Sequence, residues 1–408
     1  MKVDAEAAGM DPARLERIDE HLRERYIDPG KIAGCQVAVI RRGVLAHHSV
    51  MGFADRERQV PVSEDTIWRI YSMTKPVTAV ALMTLYERGH FQLTDPVERF
   101  IPEWRGLKVA ETGPGGERQL VDPARPMQVR DLLMHTSGIG YGRDNADLDV
   151  IPVGSRGRAS SFRLDRDLEA MVERLAGTPL RFHPGTRWLY SLGLDVCGRL
   201  VEIMSGRRLD RFLAEEIFTP LGMNDTGFSV PEGQVGRFAA SYARGPAKEL
   251  VLVDDPTESA YLSVPSFLAG GGGLVSTAAD YARFCRMLLD GGELDGRRVL
   301  GRKTVELMTV NHLPGGGSMA DFALQGGYGE VGFEGMGFGL GMAVGQGPAT
   351  TGVIGSAGEY MWGGAASTLF WVDPAEELIV VFMTQLLPSG TFNFRGQLKA
   401  LVYPAIVD

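Results

Sequence analysis

Ser72 and Lys75, three residues apart, are the pair in this sequence whose types and spacing best suit covalent chemistry. A serine hydroxyl is a poor nucleophile until a base takes its proton. A lysine can be that base when burial and neighbouring cations lower its pKa from ~10.4. Arginine cannot, because it stays protonated. The chain has 7 lysines against 35 arginines, so a lysine at this place stands out. Pro76 lacks an N–H and is tolerated only in the first turn of a helix, which predicts a helix starting at about Ser72 or Met73. Ser72 would then lie where free backbone N–H groups and the positive end of the helix dipole favour developing negative charge. Val77, Ala79, Val80, Ala81, Leu82 and Leu85 make the rest of that helix an apolar, buried stem. Ser-x-x-Lys occurs once, and composition alone would give roughly a third of a match. By itself the pair therefore reads equally well as a helix N-cap followed by an exposed lysine.

The elements that must position this pair follow from periodicity. Asp11 and Pro12 open an amphipathic helix over 11–27, with Leu15, Ile18, Leu22 and Tyr26 at helical spacing. Two strand-like runs, 34–40 and 44–53, flank the turn Arg41-Arg42-Gly43 and predict a hairpin. Helices are expected over 72–87, 128–134, 165–175, 191–205, 208–217, 277–290 and 302–309, with no strand ladder between 96 and 290. A Gly-rich stretch, 315–358, follows, and 313–332 reads as a loop. Strands are expected over 336–345, 366–373 and 377–384, and a final helix over 391–405. Strands at both ends with helices between argue for one sheet assembled from both ends of the chain. The expected division is an α/β lobe from 1–95 and 295–408, a mostly helical lobe from 96–294, and a cleft between them.

Several segments together resemble the Ser-x-x-Lys serine enzymes: class C β-lactamases, penicillin-binding proteins and family VIII carboxylesterases. They are Asp65-Thr66-Ile67-Trp68-Arg69-Ile70 before Ser72, Leu132-Leu133-Met134-His135-Thr136-Ser137-Gly138, Phe182-His183-Pro184-Gly185 before Tyr190-Ser191, Pro220-Leu221-Gly222-Met223, and Gly271-Gly272-Gly273-Leu274-Val275-Ser276-Thr277. They occur in the family's order and span about residues 10–400. The resemblance implies an α/β fold of the α+β type, with a central antiparallel sheet flanked by helices plus the helical lobe. It implies that Ser72 is the nucleophile and that Tyr190 shares the base role with Lys75, since two groups with pKa near 10 placed together can pass one proton.

The family's third element aligns with Trp362-Gly363-Gly364-Ala365. The resemblance implies an oxyanion hole from the N–H groups of Ser72 and Ala365, and a substrate bordered by Tyr71, Leu192, Trp362, Gly363 and Gly364. Two departures from the penicillin-recognising pattern matter. Leu192 replaces the asparagine of Tyr-x-Asn, and the lysine that would sense a β-lactam carboxylate is missing, with acidic Glu359 nearby. Both match the family VIII esterases and related acyltransferases. The expectation is a carboxylesterase of small or short-acyl esters. The alternatives are an acyltransferase of the statin-side-chain type, or a weak β-lactamase or D-amino-acid peptidase.

Other chemistry is disfavoured. The net charge of −9 and the absence of a basic stripe argue against nucleic-acid binding. Cys35, Cys197 and Cys285 form neither a disulfide framework nor a metal set. His47 and His48 alternate across a strand, and His135 and His183 read as structural. Asp95 and Glu98 read as solvated. Gly270–Gly273 lacks the Gly-Lys-Ser/Thr of a phosphate loop, and no Gly-x-Ser-x-Gly elbow occurs. Phe162, Phe228 and Phe267 are candidates for pocket lining. No metal or cofactor is expected. The start, Met1-Lys2-Val3-Asp4-Ala5-Glu6, lacks the apolar run of a signal peptide, and no segment is long and apolar enough to span a bilayer. A cytoplasmic protein acting on a small-molecule ester is therefore expected, as a monomer or small homo-oligomer.

Overall fold

The computed structural model describes residues 2–113, 115–141, 166–324 and 327–408; Phe162 lies outside them. Eight strands form one sheet in the spatial order Met336–Phe338, Ala343–Gly345, Tyr360–Gly363, Leu369–Asp373, Leu378–Thr384, Gly34–Arg41, Val44–Asp55, Val60–Pro61. Every neighbouring pair is antiparallel. Early and late segments of the chain therefore share a single ladder, with Cys35 opposite Thr384 and Trp362 opposite Phe370. The mixed α/β arrangement expected from the alternation of strands and helices is present.

Local chemistry explains the elements. Asp11 caps the Pro12–Leu22 helix by accepting from Ala13 N at 2.9 Å, with Pro12 in the first turn and Leu15, Ile18 and Leu22 buried. The first hairpin turns on Arg42 and Gly43, both at positive φ (50° and 75°), a two-residue loop whose twist suits antiparallel strands. All eight residues of Gly34–Arg41 are buried, so the strand needs cover on both faces. The Ala278–Leu289 helix packs on Leu369–Asp373, Leu378–Thr384 and Gly34–Arg41. The Pro12–Leu22 and Phe394–Val402 helices pack on each other, the former also against Val44–Asp55.

The structure corrects four expectations. The 96–290 region does contain strands: Val109–Thr112 pairs with Arg118–Val121, Ser241–Arg244 with Leu250–Asp254, and Val275–Ser276 with Trp68–Arg69. These strands are two to five residues long, and three of the four residues of Arg118–Val121 are exposed, so they carry little alternation to read. The 336–345 run is a hairpin of two three-residue strands rather than one strand. The 313–332 segment is not all loop, since Ser318 and Asp321 form a capping box for a short helix, Met319–Phe322. Lastly, Trp362 and Gly363 lie inside a strand, Tyr360–Gly363, instead of preceding one.

Candidate active site

The Thr74–Glu87 helix is preceded by a 3-10 turn, Tyr71–Met73, so Ser72 sits just before the α-helix rather than within it. Pro76 is the third helical residue, within the first turn as its missing N–H requires. Every side chain from Thr74 to Leu85 is buried. The turn is pinned from several directions. Ile70 N donates to Leu274 O at 3.1 Å, Tyr281 Oη to Met73 O at 2.9 Å, and Leu274 N to Thr74 Oγ1 at 3.2 Å. Tyr71 has a φ of 43°, in the left-handed region, a strained state of the kind that persists where surrounding structure over-determines the backbone.

Lys75 is entirely buried and Ser72 is 8% exposed. Lys75 Nζ lies 3.2 Å from Ser72 Oγ and donates to Gly271 O at 2.6 Å. Burial pushes the Lys75 ammonium down to about 8, against the pull of the Asp195 and Glu330 carboxylates. The exposed-lysine reading of the motif is thereby excluded. Lys75 Nζ also lies 4.5 Å from the ring centroid of Tyr190.

Tyr190 is held by aromatic neighbours. The ring of Tyr141 stands edge-on to it at 5.4 Å and that of His135 at 5.0 Å, while Trp188 stacks parallel at 6.2 Å. Trp362 Nε1 donates to Tyr190 Oη at 3.3 Å. Burial pushes the Tyr190 phenol well above its ordinary value, as do Tyr141 and Glu330, while Ser72 and the Trp362 indole N–H oppose this. His135 Nδ1 is 2.9 Å from Ser191 Oγ, and burial followed by the Lys75 charge holds its imidazole well below the usual range. A neutral, fixed histidine supports Tyr190 and fits the structural reading.

The Trp362–Ala365 segment reaches Ser72 through two glycines. Gly364 N donates to Thr368 O at 2.8 Å, and a Cβ on Gly364 would overlap the Ile70 carbonyl oxygen and Thr368 Oγ1. Only glycine allows this backbone to lie against the residues leading into Ser72. Ala365, next along, is partly exposed.

Of the sequence candidates, the structure brings together Ser72, Lys75, Tyr190, Trp362, Gly363 and Gly364. Trp362 is fully buried and holds Tyr190, so the surface it was expected to offer as a pocket wall is covered. Leu192 is buried in the main core, and burial pushes the Tyr71 phenol up, with Arg69 opposing and Asp254 adding to the rise. Phe228 and Phe267 are core residues as well. Glu359 is only 3% exposed, and its carboxylate is paired with Lys399 and accepts from Tyr403 Oη, away from any role in the cleft.

Sequence reasoning missed two carboxylates. Asp195 Oδ1 accepts from Gly271 N at 2.9 Å, so it orients the peptide whose carbonyl holds Lys75. Burial pushes its carboxyl up to about 6, with Lys75 as the main opposing influence. An acid in the otherwise apolar run Gly193-Leu194-Asp195-Val196-Cys197 was the available signal. Glu330 had none; it lies in the loop reaching the rim of the site. The arrangement sets a serine hydroxyl beside a buried amine and a phenol that can take its proton. Among the described residues no cluster of metal-binding side chains occurs, and no helix is long and apolar enough to cross a membrane.

Known proteins carry the same scaffold. The Beta-lactamase family matches residues 16–403. Esterase EstB of Burkholderia gladioli is 33% identical over 400 residues, covering 93% of this chain and 91% of that protein. Monacolin J acid methylbutanoyltransferase of Aspergillus terreus is 30% identical over 251 residues, 61% of this chain and 58% of that one. Among solved structures, EstCE1, described as a hydrolase with promiscuous acyltransferase activity, superposes with a TM-score of 0.76 at 26% identity, covering 97% of this chain and 99% of its own. Geometry and likeness agree, and the chain belongs to the Beta-lactamase family, in the superfamily of β-lactamase-like serine hydrolases that includes the family VIII esterases.

Proposed function

We propose that this protein is a serine carboxylesterase that cleaves small or short-acyl esters. The observation that carries the reading is the fully buried Lys75 amine 3.2 Å from the Ser72 hydroxyl. Ser72 Oγ attacks the ester carbonyl carbon while its proton passes to the Lys75–Tyr190 pair. That proton then goes to the departing alcohol, leaving an acyl-enzyme. A water molecule gives a proton to the same pair and attacks the acyl carbon; the pair then returns that proton to Ser72 Oγ as the acid is released. The N–H groups of Ser72 and Ala365 hold the tetrahedral oxyanion; such donors are typically worth about 3–4 kcal/mol each. The esterase named among the relatives supports ester cleavage. Lack of a lysine beside Gly363–Gly364 supports esters over β-lactams. Ser72→Ala tests the reading: it should abolish hydrolysis of p-nitrophenyl butyrate and labelling by a serine-reactive phosphonate. Retained turnover in that variant would refute it.

A second reading, acyl transfer, is favoured by the printed descriptions of EstCE1 and of the methylbutanoyltransferase. It uses the same acyl-enzyme with an alcohol in place of water. Adding an acceptor alcohol and measuring transfer product against free acid separates the two.

A further inference from the structure

Glu330 lies against the candidate site from outside the segments that carry the family resemblance. Its Cβ stands 3.4 Å from where a side chain on Gly363 would begin. Its Oε2 accepts from Ser389 Oγ at 2.7 Å, and Tyr328, which also contacts Ser389, is 49% exposed at the rim. The Tyr328 ring is 6.0 Å from that of Tyr190. The field of Glu330 reaches Lys75, Tyr141 and Tyr190.

The nearby cations do not cancel this by offering donors to a ligand. Arg395 spends Nη1 on Glu330 O at 2.9 Å and Nη2 on Trp362 O at 2.8 Å. Its Nε has no hydrogen-bond partner among the described residues but is buried away from the surface, so a ligand does not reach it. Lys75 is committed to Ser72 and Gly271. A carboxylate entering the cleft would meet Glu330 and, among the described residues, find no free cationic partner. An ammonium would meet a carboxylate and the exposed ring of Tyr328, which attracts cations.

Resting on the esterase reading above, we infer that Glu330 sets the charge preference of the cleft, which takes esters bearing an ammonium group and discriminates against esters bearing a carboxylate. Like charges brought together in a desolvated site cost enough to change rates by large factors.

Three p-nitrophenyl esters test this: the neutral butyrate, the 4-(trimethylammonio)butyrate and the hemiadipate, whose carboxylate is too far along the chain to cleave its own ester readily. With the wild-type protein, kcat/KM should be higher for the cationic than for the anionic ester by about tenfold or more. In Glu330→Gln that ratio should fall towards one. Equal rates for the two charged esters in the wild type, or a preference for the hemiadipate, overturn the inference even if Glu330→Gln does not fold. A ratio unchanged in a folded Glu330→Gln also overturns it. Failure of the wild type to turn over any of the three, including the butyrate, would instead refute the esterase reading.

Discussion

The Nζ of Lys75 sits between the Ser72 hydroxyl, at 3.2 Å, and the carbonyl oxygen of Gly271, at 2.6 Å. A neutral amine in this position can donate one N–H to the carbonyl while its lone pair faces the serine. The Gly271 peptide thus orients the lysine as a base rather than merely neutralising it. Lys75→Arg keeps the charge and much of the length but cannot deprotonate. It should lower kcat/KM for p-nitrophenyl butyrate by about 100-fold or more, the usual worth of a positioned base, while the far-ultraviolet circular dichroism stays native. Activity within threefold of wild type (roughly, allowing for the scatter of such measurements) would remove Lys75 from proton transfer.

The depressed Lys75 also gives a pH dependence. Its neutral form is the active one, so activity rises as pH climbs through the pKa of about 8. The ascending limb of kcat/KM belongs to the Lys75–Tyr190 pair as a unit. Asp195 favours the ammonium form, so removing its charge should ease deprotonation and move that limb to lower pH. Asp195→Asn keeps an oxygen able to accept from Gly271 N. A pH profile of the two proteins from about pH 6 to about pH 10 decides it. A limb that stays put, or moves to higher pH, contradicts the assignment.

Tyr190 and Trp362 should separate cleanly. Tyr190→Phe removes the phenol beside Ser72 and should cost about 100-fold or more in kcat/KM. Trp362→Phe keeps an aromatic ring against Phe338, now 5.3 Å away between centroids, and removes one long neutral hydrogen bond. Such a bond is worth about 1 kcal/mol, so a loss of about fivefold is expected. Steady-state kinetics on both variants checks the contrast, and equal losses would mean that Trp362 does more than orient the phenol.

How much of this was legible beforehand depended on whether a feature was local. Pro76 placed the start of the helix carrying Lys75 to within two residues because a missing N–H is a local constraint. Ser72, Lys75 and Tyr190 could be singled out as candidates because their segments have recognisable order and spacing, and the structure brings them together. The Tyr360–Gly363 strand was missed because Gly363-Gly364 reads as a loop until its ladder with Leu369–Asp373 supplies a reason for close approach. Asp195, marked only as an acid in an apolar run, and Glu330, which had no local signal, were missed for a different reason. Each acts through a tertiary partner, Gly271 for one and the Gly363 strand for the other, and those pairings span 76 residues in the first case.

Gly364 carries the last prediction. Its φ is not in the left-handed region, so backbone strain does not require glycine there. The requirement is space, because a Cβ would strike the Ile70 carbonyl oxygen and Thr368 Oγ1. One obstacle is backbone that leads directly into Ser72, and it cannot move without moving the nucleophile. Gly364→Ala should therefore separate Ala365 from Ser72, lowering stability by about 1–3 kcal/mol as overpacking does and activity by much more than that loss of folded protein explains. Gly352→Ala, at a position with open space but a φ of 66°, should show the opposite balance, with a stability cost and no loss of kcat per folded molecule. Thermal melts combined with phosphonate titration of active sites measure both terms. If Gly364→Ala leaves kcat per titrated site unchanged, then Gly364 does not set the distance between Ala365 and Ser72, and the oxyanion-hole assignment of Ala365 loses its structural support.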